Sequence, residues 1–306
     1  MISLASGYAS SAEPITPLPL KVEVDVAKAE LGKLLFFDRR LSSDNTLSCA
    51  SCHDLKTGYG TDLAPVSTGV KGQKGERNSP TVLNSGFNFT QFWDGRAADL
   101  VEQARGPVTN PIEMGMASWD EAVVKLAGDG EYTAAFNAIY GSDITADGIV
   151  EAIAEFEKTL ITPNAPFDKF LRGDQNAISE QQKRGYQLFQ SYGCIACHQG
   201  QNVGGNMFQK FGVLKDIVMQ EGTLAEDLGR YNVTRNEWDK RVFKVPSLRL
   251  AVKTPPYFHD GSVPTIDEAV DIMIQFQLGR DVPAADKQAI IAFLASLVGE
   301  LPEGVR

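Results

Sequence analysis

Cys49-Ala50-Ser51-Cys52-His53 and Cys194-Ile195-Ala196-Cys197-His198 account for all four cysteines of this 306-residue chain and for two of its three histidines. In a c-type haem site the two thiols bond covalently to the porphyrin vinyl groups. The adjacent His reaches the iron as proximal ligand, so the cofactor dictates the spacing. Two haems c, and redox chemistry, are therefore expected. Zinc can also use two Cys pairs, but roughly 15–20 residues apart, whereas these begin at 49 and 194. Zinc, like a plain disulfide, gives no reason for a His after each pair. A redox dithiol wants a βαβ setting, and the surroundings here read helical.

Outward from the motifs the pattern is helical. Val24, Ala27, Leu31, Leu34 and Leu35 keep helical spacing over 24–37, ahead of the first motif. Ser118-x-x-Glu121 opens a helix to about Ala127. Ile149, Ile153, Phe156 and Leu160 share one face, and Pro163 and Pro166 mark a boundary near 162–168. Ser179-x-x-Gln182 opens the helix before the second motif, and Thr265-x-x-Glu268 caps another that stops near Gly279. A last helix spans about 284–298. Residues 56–92 and 200–245 are Gly-rich and irregular, as expected of chain wrapped around a cofactor. The fold class is mainly α: two cytochrome-c-like domains, residues 1–165 and 166–306, each with one covalent c-type haem.

Hydrophobic content of 43% and charged content of 22% suit a soluble globular protein. No apolar run approaches the ~18 residues of a membrane span. A net charge of −10 argues against a nucleic-acid partner and permits steering of a cationic one. Covalent haem attachment in bacteria is completed outside the inner membrane, so the periplasm is expected. Residues 1–20 are Ser/Ala/Pro-rich, without the n-region and h-region of a signal peptide, and read as a mature N-terminus.

The sixth position of each iron separates a carrier, which fills it, from a peroxidase, which leaves it open. His259 is the remaining histidine, so at most one haem is bis-His within a monomer. Met273, in the helix after Thr265, reads as core packing or as a ligand. Met114 and Met116 are conceivable ligands in the first half, in a segment beside Pro111 and Glu113 that also reads as a substrate pocket.

Longer blocks are Leu31-Gly32-Lys33-Leu34-Leu35-Phe36-Phe37-Asp38, Arg77-Asn78-Ser79-Pro80-Thr81-Val82-Leu83-Asn84 and Gln91-Phe92-Trp93-Asp94-Gly95-Arg96. Two more are Glu102-Gln103-Ala104-Arg105-Gly106-Pro107-Val108 and Pro256-Tyr257-Phe258-His259-Asp260-Gly261. With these the chain resembles the bacterial dihaem cytochrome c peroxidases over residues 31–297. The resemblance implies a low-potential peroxidatic haem at Cys49, Cys52 and His53, and a high-potential haem at Cys194, Cys197 and His198 with Met273 as second axial ligand. It implies distal roles for Gln103 and Glu113, which suit peroxide cleavage because a carboxylate can relay the proton that O–O heterolysis requires. It implies an inter-haem position for Trp93, a calcium ion at Asn78 and the carbonyls of Thr254 and Pro256, and a place near the propionates for His259. Hydrogen peroxide as substrate, a small cytochrome c or cupredoxin as donor, and a homodimer also follow from it.

One departure stands out. Many family members cap the resting peroxidatic iron with a second histidine on the loop after the first motif. Counting back from Arg77-Asn78-Ser79-Pro80, that position is Val70, and no His occurs between His53 and His198. Valine cannot ligate iron, so an enzyme active without prior reduction is expected, unless Lys71, Lys74 or Met114 takes the place. Two rivals are a dihaem oxidase that matures a tryptophan-derived cofactor, whose relatives carry Tyr where Met273 stands, and a non-catalytic dihaem carrier.

Overall fold

The computed structural model describes residues 13–215 and 227–303. Residues 1–12, most of the stretch read as a mature N-terminus, lie outside the described residues, as do 216–226 within the irregular 200–245 stretch. The chain is mainly helical: α1 Val26–Phe36, α2 Cys49–Cys52, α3 Leu100–Thr109, α4 Trp119–Ala127, α5 Gly130–Tyr140, α6 Ala146–Thr159, α7 Pro166–Leu171, α8 Glu180–Tyr192, α9 Tyr231–Thr234, α10 Ile266–Ile272 and α11 Ala284–Ala295. Two short antiparallel strands, β1 Phe208–Lys210 and β2 Val242–Lys244, pair with Phe208 opposite Lys244.

The capping residues read from sequence do their work. The side chains of Ser118, Ser179 and Thr265 accept from the backbone N–H three residues on, satisfying donors that a helix N-terminus leaves open. Ser179 and Gln182 form a reciprocal capping box. Pro166 does more than break a pattern: it occupies the first turn of α7, where its missing N–H costs nothing. Helices α3 and α5 have no counterpart in the sequence reading. In α3, Pro107 sits inside the helix, and in α5 the buried residues are Tyr132 and Phe136 alone.

Two apolar cores result. In the first, Leu31, Leu35 and Phe36 of α1 pack with Ile149, Ile153 and Phe156 of α6. In the second, Tyr186 and Phe189 of α8 pack with Ile290, Phe293 and Leu294 of α11, and Phe167 meets Phe293 edge-on at 4.9 Å. Both pairs cross at a glycine. A Cβ on Gly32 would fall on the Ala152 carbonyl and against Phe156; one on Gly185 would fall on the Ala289 carbonyl and against Phe293. Only glycine allows so close a backbone approach.

The chain ends trade sides. Ile15 is buried in the second core, while Val298 and Leu301 pack against the first. The Gly200 N–H donates to the Pro14 carbonyl at 2.8 Å. Arg249 and Asp168, both with side chains wholly buried, form a two-pronged ion pair at 2.8 and 3.1 Å. Arg249 also donates to the Gln201 carbonyl at 2.6 Å and reaches the Thr16 carbonyl at 3.5 Å.

Candidate haem sites

The first motif makes a single helical turn. The Ser48 N–H donates to Ser51 Oγ at 2.9 Å, and the His53 N–H closes the turn on the Cys49 carbonyl at 3.0 Å. Cys49 and Cys52 thus share a face, as residues three apart on a turn must. His53 Nδ1 lies 3.0 Å from the Gly60 carbonyl. That contact places the ring proton on Nδ1 and leaves Nε2 as the metal-binding nitrogen. Burial holds His53 below its ordinary pKa, in the neutral form that a metal requires.

The second motif forms a 3₁₀ turn, Cys194–Ala196, with the His198 N–H on the Cys194 carbonyl at 3.0 Å. His198 Nδ1 is buried and completes no hydrogen bond. Burial pulls its pKa down to about 4, against the influence of the Pro246 and Val203 carbonyls beside it. His198 and Met273 both line one cavity of about 400 Å³, together with Cys194, Cys197, Trp93 and His259. Its size and apolar walls suit a large flat cofactor. Met273 lies inside the helical stretch opened by Thr265: α10 continues without a break into a π-helical segment, Met273–Leu278, that begins at Met273 itself. Such turns recur at functional sites.

Cys49 and Cys194 are held away from the thiolate form that zinc binding requires. Burial, with the Glu157 charge adding to it, pushes Cys49 up to about 12, and burial pushes Cys194 up to about 11. Thiolates, not thiols, bind zinc and exchange disulfides. No cluster of three or more His, Cys, Asp or Glu side chains suited to a metal ion occurs among the described residues.

Between the two motifs lies the segment 77–80. Ser79 Oγ is 3.4 Å from His53 Nδ1, while Asn78 and Ser79 also line the second cavity. Trp93 Nε1 donates to the Asn78 carbonyl at 2.9 Å, and the Trp93 carbonyl accepts from the Lys244 N–H at 2.8 Å. Its ring meets His259 edge-on at 6.4 Å. His259 is itself buried, stacked on Phe243 at 4.2 Å, with its carbonyl accepting from the Asn78 N–H at 2.8 Å. Asn78, Thr254 and Pro256 all line the same cavity. The Asn78 amide nitrogen donates to the carbonyls of Ala64 (2.9 Å) and Pro65 (3.2 Å), leaving its Oδ1 as an oxygen donor suited to a hard cation.

Arg77 clamps this segment from outside. It holds Asp94 at 2.6 Å and Asp227 through two bonds of 2.6 and 2.7 Å. No motif in the sequence marks that triad, since its members stand at 77, 94 and 227 and meet only through the fold.

Helix α3 and the loop after it carry Gln103 and Glu113. Glu113 is half-buried and accepts from the Asn110 amide at 2.6 Å. Burial raises its carboxyl above the ordinary value, against the Asn110 hydrogen bond and the charge of Arg96. Its charge is also felt at Cys52, which ties it to the first motif. Val70 is 2% exposed; its N–H donates to the Glu113 carbonyl at 2.8 Å, and its side chain packs on Gly115. The loop is thus laid down on the Glu113 segment. Lys71 and Lys74 are exposed, and Lys74 Nζ bonds Thr68 Oγ1 at 2.5 Å. Met114 and Met116 are buried in the first core.

No helix of the described residues is long and apolar enough to cross a membrane. A family profile described as di-haem cytochrome c peroxidase matches residues 26–176. Cytochrome c peroxidase Ccp of Escherichia coli is 51% identical over 94% of this chain, which spans 61% of that protein's length. Cytochrome c551 peroxidase of Nitrosomonas europaea is 47% identical over 98% of this chain and 88% of its own. A crystal structure of a MauG-like protein associated with microbial copper homeostasis superposes with a TM-score of 0.79, at 30% identity, over 94% of this chain and 93% of that one. The fold and paired motifs define a mainly α cytochrome-like protein. The chain belongs to the di-haem cytochrome c peroxidase family of oxidoreductases.

Proposed function

We propose that the protein reduces hydrogen peroxide to water with electrons from a small cytochrome c or cupredoxin, and does so without reductive activation. The observation that carries the reading is the asymmetry of the two sites. His198 shares its cavity with Met273, a second soft ligand, whereas the region of His53 and Cys52 is served by a half-buried acid, Glu113. Each Cys pair holds one haem c, and when bound that group supplies the electron-accepting and peroxide-cleaving iron.

The chain's own residues do the rest. Glu113, raised by burial, takes and returns a proton near neutral pH more readily than an exposed carboxylate. Gln103, on α3 ahead of the Asn110–Glu113 loop, offers an amide to orient the peroxide. Trp93 lines the His198–Met273 cavity and bonds the carbonyl of Asn78, next to Ser79 with its contact to His53, which supports it as the bridging side chain. Val70 anchors its loop through the Glu113 carbonyl and offers no ligand. We assign residues 1–165 to the peroxidatic domain and 166–306 to the electron-entry domain, except that the segment at Ile15 packs with the second and Val298 and Leu301 with the first. His259 stands at the propionate edge. One calcium ion is held by Asn78 and the Thr254 and Pro256 carbonyls, supported by their convergence on one cavity. A periplasmic homodimer completes the reading.

The deciding experiment is a low-temperature EPR spectrum of the as-isolated ferric protein, paired with peroxide-dependent oxidation of reduced cytochrome c without pre-reduction. One high-spin and one low-spin signal with immediate turnover are expected. Two low-spin signals and a lag would mean that another side chain caps the first iron.

A further inference from the structure

We propose that Lys244 is the cation that pairs with a propionate carboxylate of the haem in the His198–Met273 cavity. The proposal rests on the reading above that a haem occupies that cavity. Lys244 ends β2, where it pairs with Phe208, and its side chain lines the cavity. The residue is only 6% exposed. Lysines are almost never so buried unless an anion accompanies them, because an unpaired ammonium pays heavily for lost hydration.

Yet the Lys244 ammonium meets no carboxylate and no hydrogen-bond acceptor among the described residues, and burial alone pushes its pKa down to about 8. Arg249, which lines the same cavity, is already committed to Asp168. The nearby His259 is held neutral by burial, against the charges of Asp260 and Asp227. Lys244 is therefore a cation built into a mostly apolar wall with no carboxylate among the described residues to neutralise it. A porphyrin brings two carboxylates, and one of them within ion-pair reach would keep the ammonium charged. The Lys244 N–H also holds the Trp93 carbonyl at 2.8 Å, so one residue would fix both the haem's acidic edge and the bridging indole.

The test compares Lys244→Gln and Lys244→Arg with the wild-type holoprotein. Haem stoichiometry comes from the pyridine haemochrome, the midpoint of the second haem from potentiometric titration, and the propionate bending band from resonance Raman. Lys244→Gln should retain two haems, shift the propionate band, and move the ferric/ferrous equilibrium of the second haem toward ferric on the order of tenfold, about 59 mV for one electron. Lys244→Arg should leave both close to wild type. Loss of the second haem from Lys244→Gln but not from Lys244→Arg would support the pairing equally. An unchanged band and midpoint in a fully loaded Lys244→Gln protein would overturn it. So would loss of haem from both variants, which indicates packing rather than charge. Fewer than two haems in the wild-type protein would sink the underlying reading and the proposal with it.

Discussion

Trp93 Nε1 donates to the carbonyl of Asn78 at 2.9 Å, and Asn78 in turn adjoins Ser79, whose hydroxyl lies 3.4 Å from His53. The indole is thus fastened to the strip of chain that separates the two motifs. Trp93→Phe keeps an aromatic ring but leaves that carbonyl without its donor, at a cost of about 1 kcal/mol. Turnover should fall while the EPR signal of each haem stays as in wild type. A kcat equal to wild type would remove Trp93 from the route between the sites.

Glu113 gives a second prediction. Glu113→Gln keeps the size and the Asn110 contact but removes the proton acceptor, so kcat/KM for peroxide should drop by about 10²–10⁴. Because burial raises this carboxyl above 4.5, the activity that depends on its ionised form should be lost as pH falls through a value above 4.5. That limb should be absent from the pH profile of Glu113→Gln.

Val70→His restores a potential ligand on the loop held against Glu113. The resting ferric protein should lose its high-spin signal, and turnover should show a lag that prior reduction removes. Immediate turnover with the high-spin signal intact would show that the loop is too firmly packed, through Val70 and Gly115, to present a ligand.

The Arg249–Asp168 pair has no access to water on either side. Arg249→Met leaves Asp168 as a buried, unpartnered acid and should destabilise the fold by about 3–5 kcal/mol in urea unfolding. Arg249→Met with Asp168→Leu should recover much of that loss, since removing both charges also removes the uncompensated one.

Acid should loosen the Arg77 clamp. Burial pushes Asp227 up, but the hydrogen bonds and charge of Arg77 outweigh it, and its carboxyl lies below 3.8. A carboxyl lowered in the folded state adds stability above its unfolded pKa and loses it as pH falls through the folded value. Arg77→Gln should therefore cost more stability at pH 7 than at pH 3, measured by denaturant unfolding at each pH. An equal cost at both would mean that the Asp227 contact contributes nothing.

Much of the helical frame could be read in advance because its signals are local. Ser118, Ser179 and Thr265 each announce a helix start, and the apolar spacing of 149–160 fixes the buried face of α6. Helix α3 escaped because Pro107 argues against a helix, although Asp99 with Glu102 three residues on carried a start signal: the Glu102 N–H bonds Asp99, and the Ala98 N–H bonds Glu102. The π turn at Met273 is a product of tertiary packing and has no local code. Nor has Lys244: nothing in Phe243-Lys244-Val245-Pro246 says that its ammonium is enclosed. The Cys and His of both motifs were legible because haem imposes their spacing covalently. Asn78, Thr254 and Pro256 were named only through resemblance; they come from distant segments, and what the fold adds is that all three line one cavity.

Gly32 against Ala152 and Gly185 against Ala289 are one joint made twice, down to the phenylalanine four residues after each alanine. The two halves thus share one helix-crossing geometry, α1 on α6 and α8 on α11, each placed beside its own Cys-x-x-Cys-His motif. A shared joint leaves each half free to differ in the residues around its motif, because the glycine crossing does not involve Met273, Val70 or Glu113. The proposed division of labour between the two sites needs no new architecture, only different residues around each motif: Met273 in one half, Val70 and Glu113 in the other.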